Sequence, residues 1–286
     1  MRLALPRPLT VIPMRRLLLV PLALLAFAGA GCLNSVGVKA PKPAGPIDAP
    51  SAFDHSDFTA ILDEVVDEDG FVDYAALKAR PRALDAYVAR LAQTDPANLP
   101  EPARLAFWLN AYNAYTLYLV RERYPVSSIL GTDTGPFIPG FNSPFAAKFA
   151  VVGGERMSLD DIEHGTIREE FDEPRIHFAL VCAAVSCPPL REEAYRGAAL
   201  DGQLDDQGRR FIQNPFKNQI DLDENEAVIS KVFDWFEEDF GGSDEAVQRF
   251  IAPYAATEAQ REALAAARLE VHHADYDWSL NDQDDR

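Results

Sequence analysis

An α+β fold, built as a single helix-rich domain with a small and largely antiparallel sheet, is what this 286-residue sequence predicts. Three observations carry that expectation. Segments with helical apolar spacing outnumber extended ones, short extended stretches come in pairs around turn residues, and no regular strand–helix–strand alternation runs along the chain.

Residues 1–31 read as a lipoprotein signal peptide. Arg15 and Arg16 precede an apolar run from Leu17 to Ala30. That run is shorter than the roughly 20 residues of a membrane-spanning helix but suits the core of a signal peptide. Gly29-Ala30-Gly31-Cys32 places small residues before a cysteine, as a lipoprotein signal peptidase requires, and makes Cys32 the lipidation site. Gly29 stands where a bulky apolar residue is usual. Leu33 is not an inner-membrane retention signal, so the expected location is the bacterial cell envelope, on the outer membrane facing the periplasm. Residues 32–51, with Pro41, Pro43, Pro46 and Pro50, read as a lipidated, proline-rich tether, leaving 52–286 as the domain.

The formal net charge of −18 falls to about −22 once the four arginines of the signal are removed. Nucleic acid is thereby excluded as a partner, because neutralising phosphates takes a basic surface. Membrane contact is expected through the N-terminal lipid alone. No cofactor motif is present.

Within the domain, Phe58, Ile61, Leu62 and Val65 have helical spacing, and Asp67-Glu68-Asp69-Gly70 ends that helix as a turn. The turn is too short for a calcium loop. Phe71–Tyr74 is extended and leads into a helix that ends near Gln93. The longest helix is expected from Pro102 to Tyr124, apolar almost all round and so buried on most faces. Asn110 and Asn113 share one face of it. Buried amides require partners, so the two either tie this helix to neighbouring loops or line a pocket. Phe137, Phe141 and Phe145 come next, in a loop rich in glycine and proline. Residues 149–157 form a tight hairpin around Gly153-Gly154. Ser158 and Asp161 form a capping box that opens a helix carrying Glu163 and His164 on one edge. Ile176–Cys182 has the pattern of the strongest strand. Hairpin strands are expected at 219–222 and 227–230, helices at 232–239, 244–254 and 257–268, and a last strand at 269–272.

Cys182 is the candidate nucleophile, set where a strand gives way to a loop. A reactive thiol needs a base or positive field nearby. His164, next to Glu163, suits a Cys–His–Glu arrangement in which the carboxylate orients the imidazole. His177 is the rival base, opposed because positions five apart face opposite sides of a strand. Cys187 is open to three readings: a buried small side chain, a disulfide partner closing a small loop, or a resolving thiol. A zinc site is disfavoured, since the cysteine spacing fits no familiar finger.

Phe107-Trp108-Leu109-Asn110-Ala111-Tyr112-Asn113-Ala114, Leu159-Asp160-Asp161-Ile162-Glu163-His164 with Ile167-Arg168, Pro174-Arg175-Ile176-His177 through Cys182 to Ser186-Cys187-Pro188, and Tyr276-Asp277-Trp278-Ser279-Leu280-Asn281 resemble the family named domain of unknown function 547. Asp69-Gly70-Phe71-Val72-Asp73-Tyr74 resembles the segment preceding the domain in bacterial members. The resemblance implies a fold distantly related to papain-like and transglutaminase-like thiol enzymes, with Cys182, His164 and Glu163 as the catalytic triad. Asn110, Asn113 and His177 are then the candidate substrate contacts. Two functions are expected on this basis. One is an envelope thiol-dependent enzyme acting on an acyl, peptide or small-thiol disulfide substrate; the other is a non-catalytic binding or scaffold lipoprotein.

Overall fold

A computed structural model describes residues 38–42, 45–132 and 143–285. The signal peptide, Cys32, Phe137 and Phe141 lie outside the described residues. The helices and strands run in the order α1 (Ser56–Val65), α2 (Tyr74–Ala79), α3 (Arg82–Gln93), α4 (Glu101–Arg123), β1 (Ala150–Val152), β2 (Glu155–Met157), α5 (Leu159–Ile162), α6 (Arg168–Glu170), α7 (Ile176–Ala179), α8 (Leu200–Ile212), β3 (Gln219–Asp221), β4 (Glu226–Ile229), α9 (Val232–Trp235), α10 (Asp244–Ile251), α11 (Glu258–Ala265) and β5 (Glu270–His273). The fold is α+β and helix-rich, and no described helix is long and apolar enough to cross a membrane.

Helix α4 is buried from Leu105 to Arg121, as a run apolar almost all round its middle requires. It is the axle of the larger of two hydrophobic clusters, which also holds α1–α3, the β1–β2 hairpin and α5. The second cluster gathers α8, α10 and α11 against the sheet, with Phe178, Phe211 and Phe233 at its centre. Among the described residues the strands form two sheets. β1 and β2 are an antiparallel hairpin, while β3–β4–β5 is antiparallel at its first pairing and parallel at its second.

The segment expected as the strongest strand is not one. Residues 176–179 close a helical turn, with Leu180 N–H donating to the Ile176 carbonyl at 3.0 Å. An unbroken apolar run fits a buried helix as well as a buried strand, and periodicity alone does not separate them. Leu180 is extended, and residues 180–182 join no sheet. The Asn113 side chain takes the place of a neighbouring strand, donating to the Ala179 carbonyl at 2.9 Å and accepting from Val181 N–H at 3.0 Å. One turn earlier, Asn110 does the same for Tyr195, at 2.8 and 2.9 Å. These two amides clamp two crossing segments onto α4.

The proline tract is not free along its whole length. Val38 is buried in the larger cluster, Tyr118 donates to the Lys39 carbonyl at 3.0 Å, and Asp48 exchanges backbone bonds of 2.7 Å with Gln93 and Asp95. Prolines remove donors but leave such carbonyls and intervening amides able to pair with the domain surface. The acidic turn at 67–70 holds itself together: the Asp67 carboxylate accepts from Asp69 N–H at 3.0 Å and Phe71 N–H at 2.9 Å. Gly70 has φ of +85°, and a Cβ there would lie 2.5 Å from Leu190 N. A glycine is therefore needed both for the turn and for its approach to the loop after Cys187.

Candidate functional site

The candidate side chains are delivered by three segments, of which the last, through Tyr276, packs against both clusters. The first is the turn after the capping box, where Ser158 Oγ accepts from Asp161 N–H at 3.0 Å and the Asp161 carboxylate accepts from Ser158 N–H at 2.8 Å. Beyond it the chain widens into a π-helical turn over Glu163–Ile167 rather than continuing as a regular α-helix. Such wide turns re-aim side chains and recur at functional sites. Here one turns Glu163 and His164 toward a cavity.

The second segment is the loop Cys182–Cys187, closed by a disulfide between these two residues with Cα atoms 6.3 Å apart. Cys182 is half-buried and Cys187 buried, so Cys182 is the more accessible sulfur. Ala183 takes up a left-handed conformation, φ +61°, to make the loop. The third segment is the C-terminal stretch, which laces alongside: Val185 N–H donates to Ser279 O at 2.8 Å and Asn281 N–H to Ala183 O at 3.2 Å. That lacing brings the Tyr276 hydroxyl 3.1 Å from both sulfurs. From beneath, the Lys217 ammonium donates to the Cys187 carbonyl at 2.6 Å and also to that of Val185.

A cavity of about 160 Å³ collects these groups, with Glu163, His164, His177, Cys182, Cys187 and Tyr276 all in its wall. The rest is largely aromatic, including Phe145, Trp235, Phe236 and Trp278. Burial raises the Glu163 carboxyl to about 7, against the opposing effect of a hydrogen bond from Tyr112. Burial also raises the Tyr276 hydroxyl well above its ordinary value, with the Glu163 charge adding to it. A carboxyl that changes protonation near neutral pH, beside a hydroxyl that bridges two sulfurs, is suited to receiving and returning a thiol proton.

The two histidines play different parts from those the spacing suggests. His164 is exposed, and its Nδ1 faces the Arg168 guanidinium at 3.2 Å rather than Glu163. Since arginine only donates, Nδ1 accepts, and a neutral ring then carries its proton on Nε2. Partial desolvation of the ring, with the Arg168 charge adding to it, lowers the His164 pKa, so this neutral form is favoured. Such an imidazole has a proton to give at Nε2 and no free ring lone pair with which to abstract one. His177 is buried, stacked on Phe236 with ring centres 4.0 Å apart, and bonded through Nε2 to Asp239 at 2.7 Å. Burial takes it down to about 4 despite the carboxylate, while Arg168 holds Asp239 down at about 2. The group is a neutral imidazole donating to a carboxylate that is already paired with arginine at 2.6 and 2.7 Å. With 176–179 helical, strand alternation no longer sets His177 on the face opposite Cys182.

Asn110 and Asn113 lie outside the cavity wall, with their amides engaged by backbone. Tyr276, Tyr112, Asp239 and Lys217 carry much of the geometry. Tyr276 and Tyr112 stand within the family-like motifs, but no spacing gave them a chemical role. Asp239 ends an acidic run that reads as solvated surface, and Lys217 lies in an ordinary turn. Among the described residues no group of three histidine, cysteine, aspartate or glutamate side chains is placed to hold a metal ion. A larger cavity of about 780 Å³ lies beside Arg175 and Arg191. Those guanidinium groups are taken up by Glu173, Asp201, Asp205, Asp206 and Glu193, so the smaller cavity is where the chemistry points.

No curated protein and no solved structure matches the chain. Residues 96–212 do match a family model, and that stretch spans α4, the Glu163–His164 turn and the Cys182–Cys187 loop, while Tyr276 lies beyond it. The family is the one described as "Protein of unknown function, DUF547", the same that the sequence motifs resemble.

Proposed function

We propose that the protein is a lipid-anchored envelope enzyme of thiol–disulfide exchange, with Cys182 as its reacting sulfur. The observation that carries this reading is the half-buried Cys182 paired with buried Cys187, both touched by Tyr276, in a cavity that also holds Glu163. In the reduced protein the Cys182 thiolate attacks one sulfur of a disulfide RS–SR, forming a mixed disulfide and releasing RS⁻, which takes up a proton. The Cys187 thiolate then attacks Cys182 Sγ, forming the Cys182–Cys187 bond and releasing the second thiol. Glu163 takes the proton of Cys182 and returns it to the first departing thiolate, then takes that of Cys187 and returns it to the second, with Tyr276 donating to whichever sulfur is anionic. His164, donating from Nε2, stabilises the departing thiolate. Acyl or peptide transfer would need Cys182 permanently free, and its pairing with Cys187 favours exchange over both. The lipid anchor at Cys32 would hold the domain at the envelope surface, where oxidised thiols persist.

The test uses the full chain carrying Cys32→Ser, reduced, and titrated with a thiolate-specific reagent from pH 4 to 9. Cys182 is expected to react well below the free-thiol pKa of about 8.5. With Cys187→Ser, a disulfide probe should leave a stable mixed disulfide on Cys182 alone. If both thiols of the folded, reduced protein react only on unfolding, the exchange reading fails and a non-catalytic binding lipoprotein takes its place.

A further inference from the structure

The wall of the cavity has a chemical character that the exchange reading does not use. Trp235, Tyr276 and Trp278 meet as a corner of three rings: Trp235–Tyr276 centres are 4.6 Å apart, Tyr276–Trp278 4.7 Å and Trp235–Trp278 5.8 Å. Trp235 is 45% exposed, an unusual position for a tryptophan. Two carboxylate side chains, Asp160 and Glu163, line the same cavity. The cations nearby are already committed. Arg168 is held by Asp239 at 2.6 Å, and Lys217, outside the cavity wall, bonds the Val185 and Cys187 carbonyls of the cysteine loop. His177 spends its Nε2 proton on Asp239, and His164 accepts from Arg168.

Ring faces carry negative quadrupole charge, and an aromatic corner closed by carboxylates is the arrangement that binds ammonium and guanidinium groups. A carboxylate placed there would meet Asp160, and Glu163 whenever it is ionised, and, among the described residues of the cavity wall, no lysine or arginine. The remainder of the chain adds to this bias, since it carries a large net negative charge that repels anions at long range.

From this geometry we infer that the site selects cationic disulfides, in which an amine or guanidine lies a few bonds from the sulfur and docks on Trp235, Tyr276 and Trp278 beside Asp160. The inference rests on the exchange reading and names its substrate class. The amine fixes one half of the molecule against the rings while the sulfur faces Cys182, which attacks it; the other half leaves as a thiol, and Cys187 completes the exchange by displacing the bound half from Cys182. Anionic disulfides such as those of acidic peptides are disfavoured at the same step.

The experiment follows oxidation of the reduced full chain carrying Cys32→Ser by three probes at low salt: cystamine, bis(2-hydroxyethyl) disulfide and 3,3′-dithiodipropionate. Each rate is divided by that of the same probe with a simple dithiol in solution, which removes intrinsic differences between leaving groups. The normalised rate for cystamine should exceed that for the dianion by about tenfold or more. Asp160→Asn and Trp235→Ala should each shrink that ratio, and high salt should shrink it further. Equal normalised rates for the three probes overturn the cationic preference and leave the exchange reading intact. If no probe oxidises the Cys182–Cys187 pair of the folded chain, the exchange reading itself falls and the preference with it.

Discussion

Replacing Glu163 with glutamine isolates the most unusual charge in the molecule. Burial holds this carboxyl at about 7, against an ordinary value of 4.5. The folded state therefore keeps a proton that the unfolded chain gives up, and wild-type stability falls as pH rises from 4.5 through about 7. A displacement of that size corresponds to about 3 kcal/mol, at 1.36 kcal/mol per unit. Glutamine fills the same volume, can still accept from Tyr112, and has nothing to titrate. Urea denaturation of the oxidised wild type and Glu163→Gln between pH 4.5 and 8 measures the effect. The stability of the variant minus that of the wild type should rise by about 3 kcal/mol across this range. His55 and His177, both lowered to about 4 by burial, contribute the opposite slope between about 4 and 6.5, where folded protein binds fewer protons than unfolded. They are present in both proteins and cancel in the difference. A pH-independent gap between the two proteins refutes the claim that Glu163 is buried as a proton acceptor.

Asn113→Ala leaves the Ala179 carbonyl and the Val181 amide without their buried partner, and should cost about 2–4 kcal/mol in urea denaturation; a loss below about 0.5 kcal/mol would show that the amide does not hold the segment leading to Cys182. Tyr276→Phe removes the hydroxyl that touches both sulfurs. In the reduced protein the Cys182 thiol pKa should rise by about one unit or more, read from the pH profile of alkylation, and an unmoved profile counts against Tyr276 as thiolate donor. Gly70→Ala forces a side chain into the Pro189–Leu190 backbone at positive φ, and should lower the melting temperature by about 4 °C or more; no change would mean that the turn and the loop after Cys187 move independently.

Much of the local structure was legible because it depends on nearest neighbours. The run from Leu105 to Val120 is apolar almost all round, which marks a buried helix; Ser158 and Asp161 are spaced to cap one; Gly153-Gly154 suits the turn of a hairpin. Cys182, His164, Glu163 and His177 were each identifiable as candidates by residue type, and the fold brings all four to one cavity. The same logic misled at 176–182, where an apolar run looks alike as strand or helix and the decision fell to the Asn113 amide, 66 and 68 positions away from the groups it bonds.

Composition and local pattern were enough for the α+β class, the acidic character, the long buried helix with its two asparagines, and a short set of candidate residues by type. How those residues are arranged came from the packing of distant segments. The pairing of Cys182 with Cys187, the contact of Tyr276 with both sulfurs from nearly a hundred residues away, the turning of His164 toward Arg168 and the raised pKa of Glu163 all depend on which segments cross and what they bury. The reason is physical: propensity and periodicity act over one or two turns of chain, whereas desolvation, hydrogen-bond partners and the charge around a carboxyl are set by whatever the fold packs against it.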